Sequence, residues 1–365
     1  MIQWRSGVVV EARGRWTGAV EYAVQLATGA TVPALAYLDI VGELPAGARV
    51  LLNTTALERG LGTGGSAIIV AAPDHLPEPV ADVRAFEGHL VKARYTPSQT
   101  MVLGVDEQDS AHHAALADAD DLLGLPVVVA DLHSALPAVV AGLREAHPGV
   151  SVAYVMTDGG ALPMAYSRTV AGLRAAGWIA AAITVGQAFG GDLEAVNVHT
   201  GLLAARHVVG ADVAVVAQGP GNLGTGTRWG FSGTSAGEAV NAAGTLGGRP
   251  VGSLRISGAD PRDRHRGVSH HSTTAYGRVC LVPADVPVPL LPGELGDRVM
   301  AQARELCEGS AGRLRLHQVP TEGLEEALAT SPVRLSTMGR GYADDRASFL
   351  GAAVAGRFAA RLLDP

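Results

Sequence analysis

From about residue 101 onward, short apolar runs alternate with stretches of helical periodicity, which constrains the fold more than any other feature. The strand-like runs are MVLGV, PVVVADLH, VSVAYVMTD, IAAAITVG, DVAVVAQG, PVGSLRIS, RVCLVPA, RLRLHQV and VRLSTMG. The clearest helix is ALPAVVAGLREAHPG, whose apolar residues lie on one face and which a Pro-Gly pair ends. Apolar strands with helices between them predict an α/β fold with a parallel sheet. We expect an open, doubly wound sheet; a (β/α)₈ barrel is the alternative, because the strand number nearly suits it.

The first part of the chain has a different pattern. Its apolar runs GVVVEARG, AVEYAVQLATG, ARVLLNTTAL and SAIIVAA are short and are separated by Gly and Pro. Such spacing is typical of a small antiparallel barrel or sandwich. The Pro-rich, charged stretch PDHLPEPVADVR follows as a join. We therefore predict two domains, a β-barrel-like domain over residues 1–92 and a parallel α/β domain over residues 93–365.

The composition argues against several classes of protein. Hydrophobic residues make up 47% of the 365 residues, which is enough for a folded core, while aromatic residues make up only 4%. A net charge of −7 with so few aromatic residues argues against nucleic-acid binding. The sequence has no apolar run long enough for a membrane span, and its start lacks the apolar core of a signal peptide. We therefore expect a cytoplasmic protein that does not bind membranes.

Two residue types limit the chemistry further. Cys280 and Cys307 are far apart and belong to no CxxC motif, so we interpret both as core residues of a protein in a reducing compartment. Lys92 is the only lysine, so any lysine Schiff base would have to form there.

The segment Arg255–Arg278, RISGADPRDRHRGVSHHSTTAYGR, is positively charged in an acidic chain. It follows a strand-like run, and ligands of α/β proteins bind at such strand ends. If the segment is extended, Arg262, Arg264 and Arg266 share one face with His265 opposite, and a solvated loop is the alternative. Adjacent His270 and His271 should diverge, so we expect only one of them to point inward.

Polar residues also follow the other predicted strands. Because the carboxyl ends of parallel strands lie on one edge, we expect these residues to gather around one site. The acid–base candidates are Asp158, Asp192, Glu194, His270 and His271. The candidates for binding the anion are Gly219, Gly221, Asn222, Gly224, Thr225, Arg262, Arg266 and Arg340. Turn and cap roles are the alternative for many of these, and Asp192 in particular suits a helix N-cap.

A divalent metal such as Zn²⁺, Mn²⁺ or Fe²⁺ is the cofactor that these residue types would suit. The candidate ligands are Asp131, His133 and His265. Asp131 and His133 are two residues apart, so they share a face if the strand continues through them. No closely spaced metal-binding motif such as HExxH occurs, so the sequence does not establish whether the protein has a cofactor.

Two glycine-containing motifs have competing interpretations. Gly219-Pro-Gly221-Asn-Leu-Gly224 matches GxGxxG after a strand, but no helix follows at once, so a phosphate loop or a plain turn competes with a dinucleotide site. Gly233-Thr-Ser235-Ala-Gly237 matches the nucleophile-elbow pattern GxSxG. Because Ser235 comes well after the strand, we interpret it instead as a capping box with Glu238.

Several of these motifs together resemble the bacterial domain of unknown function 3866 family. The resemblance is carried by NTTALERGLGTGG, RYTPSQ, YVMTDGGALP, GQAFGGDLEAVNVHTGLLAARHV, GPGNLGTGT, DPRDRHRGVSHH and LSTMGRGY, and it covers nearly the whole chain. It implies no activity, substrate or site residue.

The residues therefore carry the functional expectation. We expect a small-molecule enzyme that performs hydrolysis or group transfer on a substrate with a phosphate or carboxylate; the sequence leaves both a monomer and a homo-oligomer open. The alternative is a non-catalytic sensor or regulatory protein that binds an anion or nucleotide at the same residues. A third class, a scaffold without a pocket, predicts Arg262 and Arg266 in solvent.

Overall fold

The computed structural model describes residues 1–61, 64–79, 82 and 85–363. The chain divides into two compact units. One comprises Met1–Glu87, Tyr95–Gln99 and Ala165–Ala171. The other comprises Gly88–Arg94, Thr100–Met164 and the chain from Gly172 onward.

The first unit contains a closed five-stranded barrel, which confirms the predicted barrel-like domain. Its elements are β1 (Trp4–Trp16), β2 (Ala19–Leu26), β3 (Thr31–Tyr37), α1 (Leu38–Val41), β4 (Arg49–Asn53), α2 (Thr55–Glu58) and β5 (Ala67–Ala71). The strand order is β1-β2-β3-β5-β4, and Val20, Val24, Leu52 and Ile69 are among the buried side chains that fill the barrel. The sequence analysis missed β3, whose Pro33 argues against a strand. Pro33 is tolerated because β3 pairs with β5 only at the two residues that follow it.

The remaining elements follow in chain order. The strands are β6 (Leu90–Lys92), β7 (Thr100–Val102), β8 (Pro126–Ala130), β9 (Val152–Thr157), β10 (Ala181–Thr184), β11 (Leu193–Glu194), β12 (Val213–Gln218), β13 (Arg249–Ser253), β14 (Ile256–Ser257), β15 (Gly267–Val268), β16 (Ala284–Pro289), β17 (Leu314–Val319), β18 (Ser336–Thr337) and β19 (Arg340–Gly341). The helices are α3 (His113–Leu116), α4 (Leu136–Ala146), α5 (Arg168–Ala175), α6 (Val198–His207), α7 (Ser235–Thr245), α8 (His270–Thr274), α9 (Gly293–Glu308), α10 (Leu324–Ala329) and α11 (Arg346–Ala360).

Eight parallel strands form one open sheet in the order β11-β10-β9-β12-β8-β13-β16-β17. Val127 and Val129 of β8 belong to a core that includes buried residues of α6, α7 and α9. Because side chains alternate along a strand, Val128 points to the opposite face. Helix α11 contacts β8 and packs against α4. The sheet is thus covered by helices on both faces, as predicted, and the (β/α)₈ barrel is wrong because the sheet ends at β11 and β17 instead of closing.

One predicted strand is displaced. RVCLVPA does not form a strand: a single π-helical turn spans Ala275–Val279, and β16 begins only at Ala284. β16 was not among the predicted strands, and it contains Pro287 and Pro289, which cannot donate to a ladder. The sheet accepts them because β16 pairs with β13 only at Asp285.

Within the described ranges, no helix is both long enough and apolar enough to cross a membrane.

Candidate functional site

Three imidazoles form a cluster in the second unit. His265 ends a short 3₁₀ turn, and His270 and His271 are the first two residues of α8, whose N-cap Ser269 accepts a hydrogen bond from the His271 amide. The ring centroid of His265 is 4.9 Å from that of each other ring, and the centroids of His270 and His271 are 4.4 Å apart. The expectation that adjacent His270 and His271 diverge is therefore wrong. Their side chains leave the helix about 100° apart, yet both rings lie next to the ring of His265.

The surroundings of the cluster hold its rings in place. Phe231 stacks on His271, with ring centroids 3.8 Å apart and planes 2° from parallel. His265 Nδ1 lies 2.7 Å from the Ser269 hydroxyl, and the His270 Nε2 atom is buried without a hydrogen-bond partner.

The surroundings of the three imidazoles lower their pKa values and so favour the neutral form. Burial, followed by the positive charge of Arg255, lowers the pKa of His265 and of His271 to about 3. Burial and then the charge of Arg264 also lower the pKa of His270. Neutral imidazoles carry a free nitrogen lone pair, so they can act as bases or as metal ligands.

Asp131 and Arg255 lie beside the cluster, after the ends of neighbouring strands β8 and β13. Asp131 Oδ2 is 3.9 Å from His271 Nδ1, and Arg255 Nη1 is 3.4 Å from the same nitrogen. Asp131 Oδ2 and Arg255 Nη2 are buried and have no hydrogen-bond partner. Both residues border a cavity of about 20 Å³, which has room for a single water molecule. Burial raises the pKa of Asp131 to about 6, and Arg255 opposes that increase.

His270 also lines a much larger cleft, of about 750 Å³. Its charged lining consists of four arginines and two carboxylates: Arg228, Arg264, Arg278, Arg298, Asp263 and Glu305. Arg298 forms an ion pair with Asp263, whereas Arg228, Arg264 and Arg278 form none within the part of the chain that the structure describes. The cleft is therefore positively charged, although the whole chain is acidic.

Two arginines expected to bind the substrate bind carboxylates of the protein instead. Arg262 donates two side-chain hydrogen bonds of 2.9 Å to Asp260, whose side chain is fully buried. Arg340 lies 3.4 Å from Asp260 and donates to Asp345 at 3.2 Å. Asp260 and Asp345 are thus the anions that these guanidinium groups hold.

The predicted row of arginines is also absent. Because the chain forms a 3₁₀ turn at Asp263–His265 instead of a strand, Arg262, Arg264 and Arg266 do not share a face. Arg264 faces the cleft, while Arg266 is exposed outside its lining.

The GxGxxG loop uses several of its polar groups internally. The Gly219 amide donates to Thr157, and the Thr225 amide donates to Gly230. Asn222 accepts a hydrogen bond from Ser232, and a bridge joins Gly224 to Phe231. Among the described residues of the loop, Gly226 reaches the cleft lining, whereas Gly219, Gly221, Asn222, Gly224 and Thr225 do not. The loop instead supports Phe231, which packs on the imidazole cluster.

The other acid–base candidates lie elsewhere along the sheet edge. Asp158 follows β9, which is three strands from β13 and thus about 14 Å away. It accepts a hydrogen bond from the Gln187 amide. Asp192 pairs with Arg174 and does not cap a helix, because α6 begins later with Asn197 as its N-cap.

Glu194 belongs to a separate buried group. It lies on edge strand β11 and accepts hydrogen bonds from the Thr184 hydroxyl and the Gly190 amide. Lys92 Nζ is 2.8 Å from its carboxylate. The predicted single site therefore divides, and Asp158, Asp192 and Glu194 do not join the imidazole cluster.

The predicted metal ligands are only partly grouped. Within the described ranges, the histidine, cysteine, aspartate and glutamate side chains close enough to share an ion are those of His265, His270 and His271. Asp131 stands behind His271. His133 lies beyond the end of β8, in a 3₁₀ turn, and its Nδ1 is 3.0 Å from the Tyr154 hydroxyl. The strand does not continue to His133, so Asp131 and His133 do not act as a pair.

Ser235 does not form the predicted capping box, and its position also argues against the nucleophile elbow, the competing interpretation of its motif. It is the first residue of α7, far beyond the end of β12 at Gln218, so it does not form a nucleophile elbow. The N-cap is Thr234, which makes no capping hydrogen bond through its side chain, so the predicted capping box is wrong.

The sequence analysis missed several residues around the cluster. Arg255, Arg278 and Ser269 lie within the singled-out basic segment but received no role. Phe231 and Arg298 have no local signal at all, because a loop from another strand and helix α9 bring them to the site.

Comparisons with known proteins add a family assignment. A family model described as a protein of unknown function (DUF3866) matches residues 33–356, nearly the whole chain, and confirms the resemblance to that family. Searches of curated proteins and of solved structures find no match to this chain.

Proposed function

We propose that this chain, which belongs to the DUF3866 family, is an enzyme of hydrolysis or group transfer whose small anionic substrate binds in the arginine-lined cleft. The substrate carries a phosphate or a carboxylate. One observation carries the proposal: arginines from four different segments line the same cleft as His270, whose Nε2 is buried without a hydrogen-bond partner.

The arginines support an anionic substrate. A guanidinium group presents a planar fork of donors that fits a carboxylate or a phosphate. Arg264 and Arg278 have no carboxylate partner among the described residues, so their donors are available to a ligand. By contrast, Arg262 already binds Asp260, so it serves the fold.

The imidazole supports catalysis in addition to binding. A buried polar nitrogen without a hydrogen-bond partner lowers the stability of the fold by about 1–3 kcal/mol. A nitrogen that acts on a substrate must keep its lone pair free, which accounts for this cost. His270 Nε2 is such an atom, and its residue lines the cleft. A sensor would need only the arginines. We place this reaction in the cytoplasm, in keeping with the sequence.

The anion site is tested by calorimetric titration with inorganic phosphate, pyrophosphate and citrate. Arg264→Gln should weaken the affinity for the best of these probes at least about tenfold, because a charge-assisted hydrogen bond is lost. Arg266→Gln is the matched control, since Arg266 is exposed outside the cleft lining, and should change the affinity less than about twofold. Unchanged affinity in both Arg264→Gln and Arg278→Gln would contradict the proposal.

Turnover separates the enzyme from the sensor. A panel of phosphate monoesters, phosphoanhydrides and carboxylate esters is screened for hydrolysis with the full chain. His270→Gln should abolish turnover of any compound that is hydrolysed, while the affinity for the anionic probes is retained. Retained turnover in that variant would remove His270 from the reaction.

A further inference from the structure

We infer that His265, His270 and His271 bind a divalent transition metal of the zinc class, with Asp131 as the outer-sphere partner of His271. The inference goes beyond the proposed function: it makes His270 a metal ligand, so that His270 would act in the reaction through the metal, while anion binding by the arginines is tested independently. It also replaces the ligand set expected from the sequence.

The spacing of the nitrogen atoms supports a shared ion. One ring nitrogen from each histidine lies within 4.8 Å of those from the other two. Two ligands of a tetrahedral zinc ion, each bound at 2.0–2.1 Å, are about 3.4 Å apart. The nitrogens must therefore approach one another by up to about 1.4 Å to share one ion, which rotation of the His265 and His270 rings toward His271 would supply.

The neighbouring polar groups select the nitrogen that each ring would offer. His265 Nδ1 is 2.7 Å from the Ser269 hydroxyl oxygen, and in the tautomer in which Nδ1 donates this bond, Nε2 is the nitrogen with a lone pair. Asp131 Oδ2 is buried, without a hydrogen-bond partner and 3.9 Å from His271 Nδ1, and Arg255 Nη1, which can only donate, is 3.4 Å from the same nitrogen. When Nε2 of His271 binds a metal, Nδ1 carries the proton, so Asp131 replaces Arg255 as its partner. Metal-bound histidines typically donate their second N–H to a carboxylate or another acceptor in this way.

The remaining contacts fit the same purpose. Phe231 stacks on His271 and fixes its ring plane, and His270 Nε2 needs a partner that the described residues do not provide. Arg255 brings a positive charge close to the rings, and Asp131 and Asp260 oppose it. Three imidazoles leave one position of a tetrahedral ion open, as in catalytic zinc sites. Because His270 lines the cleft, that position would face the bound anion.

Metal binding is measured on the full chain after treatment with a chelator and dialysis. We expect one Zn²⁺ per chain in competition with a chromophoric chelator. We also expect Co²⁺ to give the intense visible absorption of a tetrahedral site. Wild-type protein that binds no stoichiometric Zn²⁺ and gives no such Co²⁺ spectrum overturns the inference, whatever happens to the variants.

The variants identify the ligands. His265→Gln and His271→Gln should each weaken Zn²⁺ binding at least about 100-fold, and Asp131→Asn should weaken it about 10–100-fold through its effect on His271. His199→Gln, at an exposed histidine of the same unit, should leave it unchanged. Circular dichroism confirms that each variant is folded. Wild-type affinity in folded His265→Gln or His271→Gln protein overturns the inference, and anion titrations of metal-free protein still test the proposed function separately.

Discussion

Phe231 stacks face to face on His271, with the two ring planes 2° from parallel and the centroids 3.8 Å apart. The ring is 5% exposed, so Phe231→Ala should lower the free energy of unfolding by about 3–5 kcal/mol. Trp229→Ala is the matched control, because Trp229 lies in the same loop and is 55% exposed; it should change stability by less than about 0.5 kcal/mol. Urea unfolding measures the free energy of unfolding of both variants. If the two substitutions lower it equally, Phe231 does not contribute to the core as described.

Helices α4 and α11 approach each other closely through two glycines. A Cβ atom on Gly142 would lie 1.9 Å from the Ala353 carbonyl oxygen, and one on Gly356 would lie 1.9 Å from that of Val139. Gly142→Ala should therefore destabilise the protein by about 1–3 kcal/mol, even though alanine favours a helix by about 1 kcal/mol.

The control for that substitution is Gly149→Ala, where a Cβ atom would meet no atom within 4 Å. Its melting temperature should match that of the wild type, whereas Gly142→Ala should melt a few degrees lower, on the order of 1–2 °C per kcal/mol for a chain of this size. Equal melting temperatures of Gly142→Ala and Gly149→Ala would show that α4 and α11 can move apart without a loss of stability.

The sheet was predictable because its strands are apolar on both faces. Val128 and Val215 belong to such runs, and helical crossovers follow from them. By contrast, β16 was not predicted, and its Pro287 and Pro289 argue against a strand. Only the observed sheet shows that β13 pairs with β16 at a single residue, Asp285. Local sequence does not reveal which strand positions lack a partner.

The imidazole cluster lies in the basic segment that the sequence singles out, but the pairing of the charged side chains around it was not predictable. The basic segment does supply the imidazole cluster, yet Arg262 binds Asp260, only two residues away. The position of Asp260, so close to Arg262 in the sequence, was the available indication of this ion pair. Arg340 meets the same carboxylate from a distant part of the chain, and nothing local indicates this. Charge composition thus draws attention to a basic segment. Which of its arginines already form ion pairs inside the protein depends on the fold.

Asp260 should make stability depend on pH in acid. Hydrogen bonds from Arg262 are the main reason that its pKa is well below the usual value of about 3.9. The carboxylate therefore stabilises the fold fully above about pH 3.9, and this contribution is lost as the pH falls below that value. Asp260→Asn removes the carboxylate that Arg262 binds and one of the two carboxylates that face each of Arg255 and Arg340, and it should cost about 3–5 kcal/mol at pH 7.

Urea unfolding from pH 7 to pH 3 checks this prediction. The difference between wild type and Asp260→Asn should be constant down to about pH 4 and should shrink below it. Asp263→Asn is the control, because Asp263 is 87% exposed and pairs with Arg298 at the surface; its effect should stay below about 1 kcal/mol. A gap that widens in acid would contradict the assigned sign.

Lys92 should resist acylation until the protein unfolds. It is the only lysine in the chain and is 2% exposed. Its ammonium group lies 2.8 Å from Glu194 and donates to the carbonyl groups of Thr184 and Ala188 at 3.0 and 2.9 Å. These partners use all three of its N–H donors, so it has no lone pair to form a Schiff base, even though burial lowers its pKa.

Peptide mass spectrometry after treatment with an acetylating reagent follows this single side chain. Modification of native protein should be at least about 100-fold slower than in urea, because it requires the surrounding structure to open. Glu194→Gln should accelerate it, since the ion pair that holds the ammonium group is lost, whereas Glu308→Gln, at an exposed glutamate of α9, should not. Native Lys92 that reacts as fast as an unfolded lysine would show that the amine is accessible and would make it a candidate nucleophile.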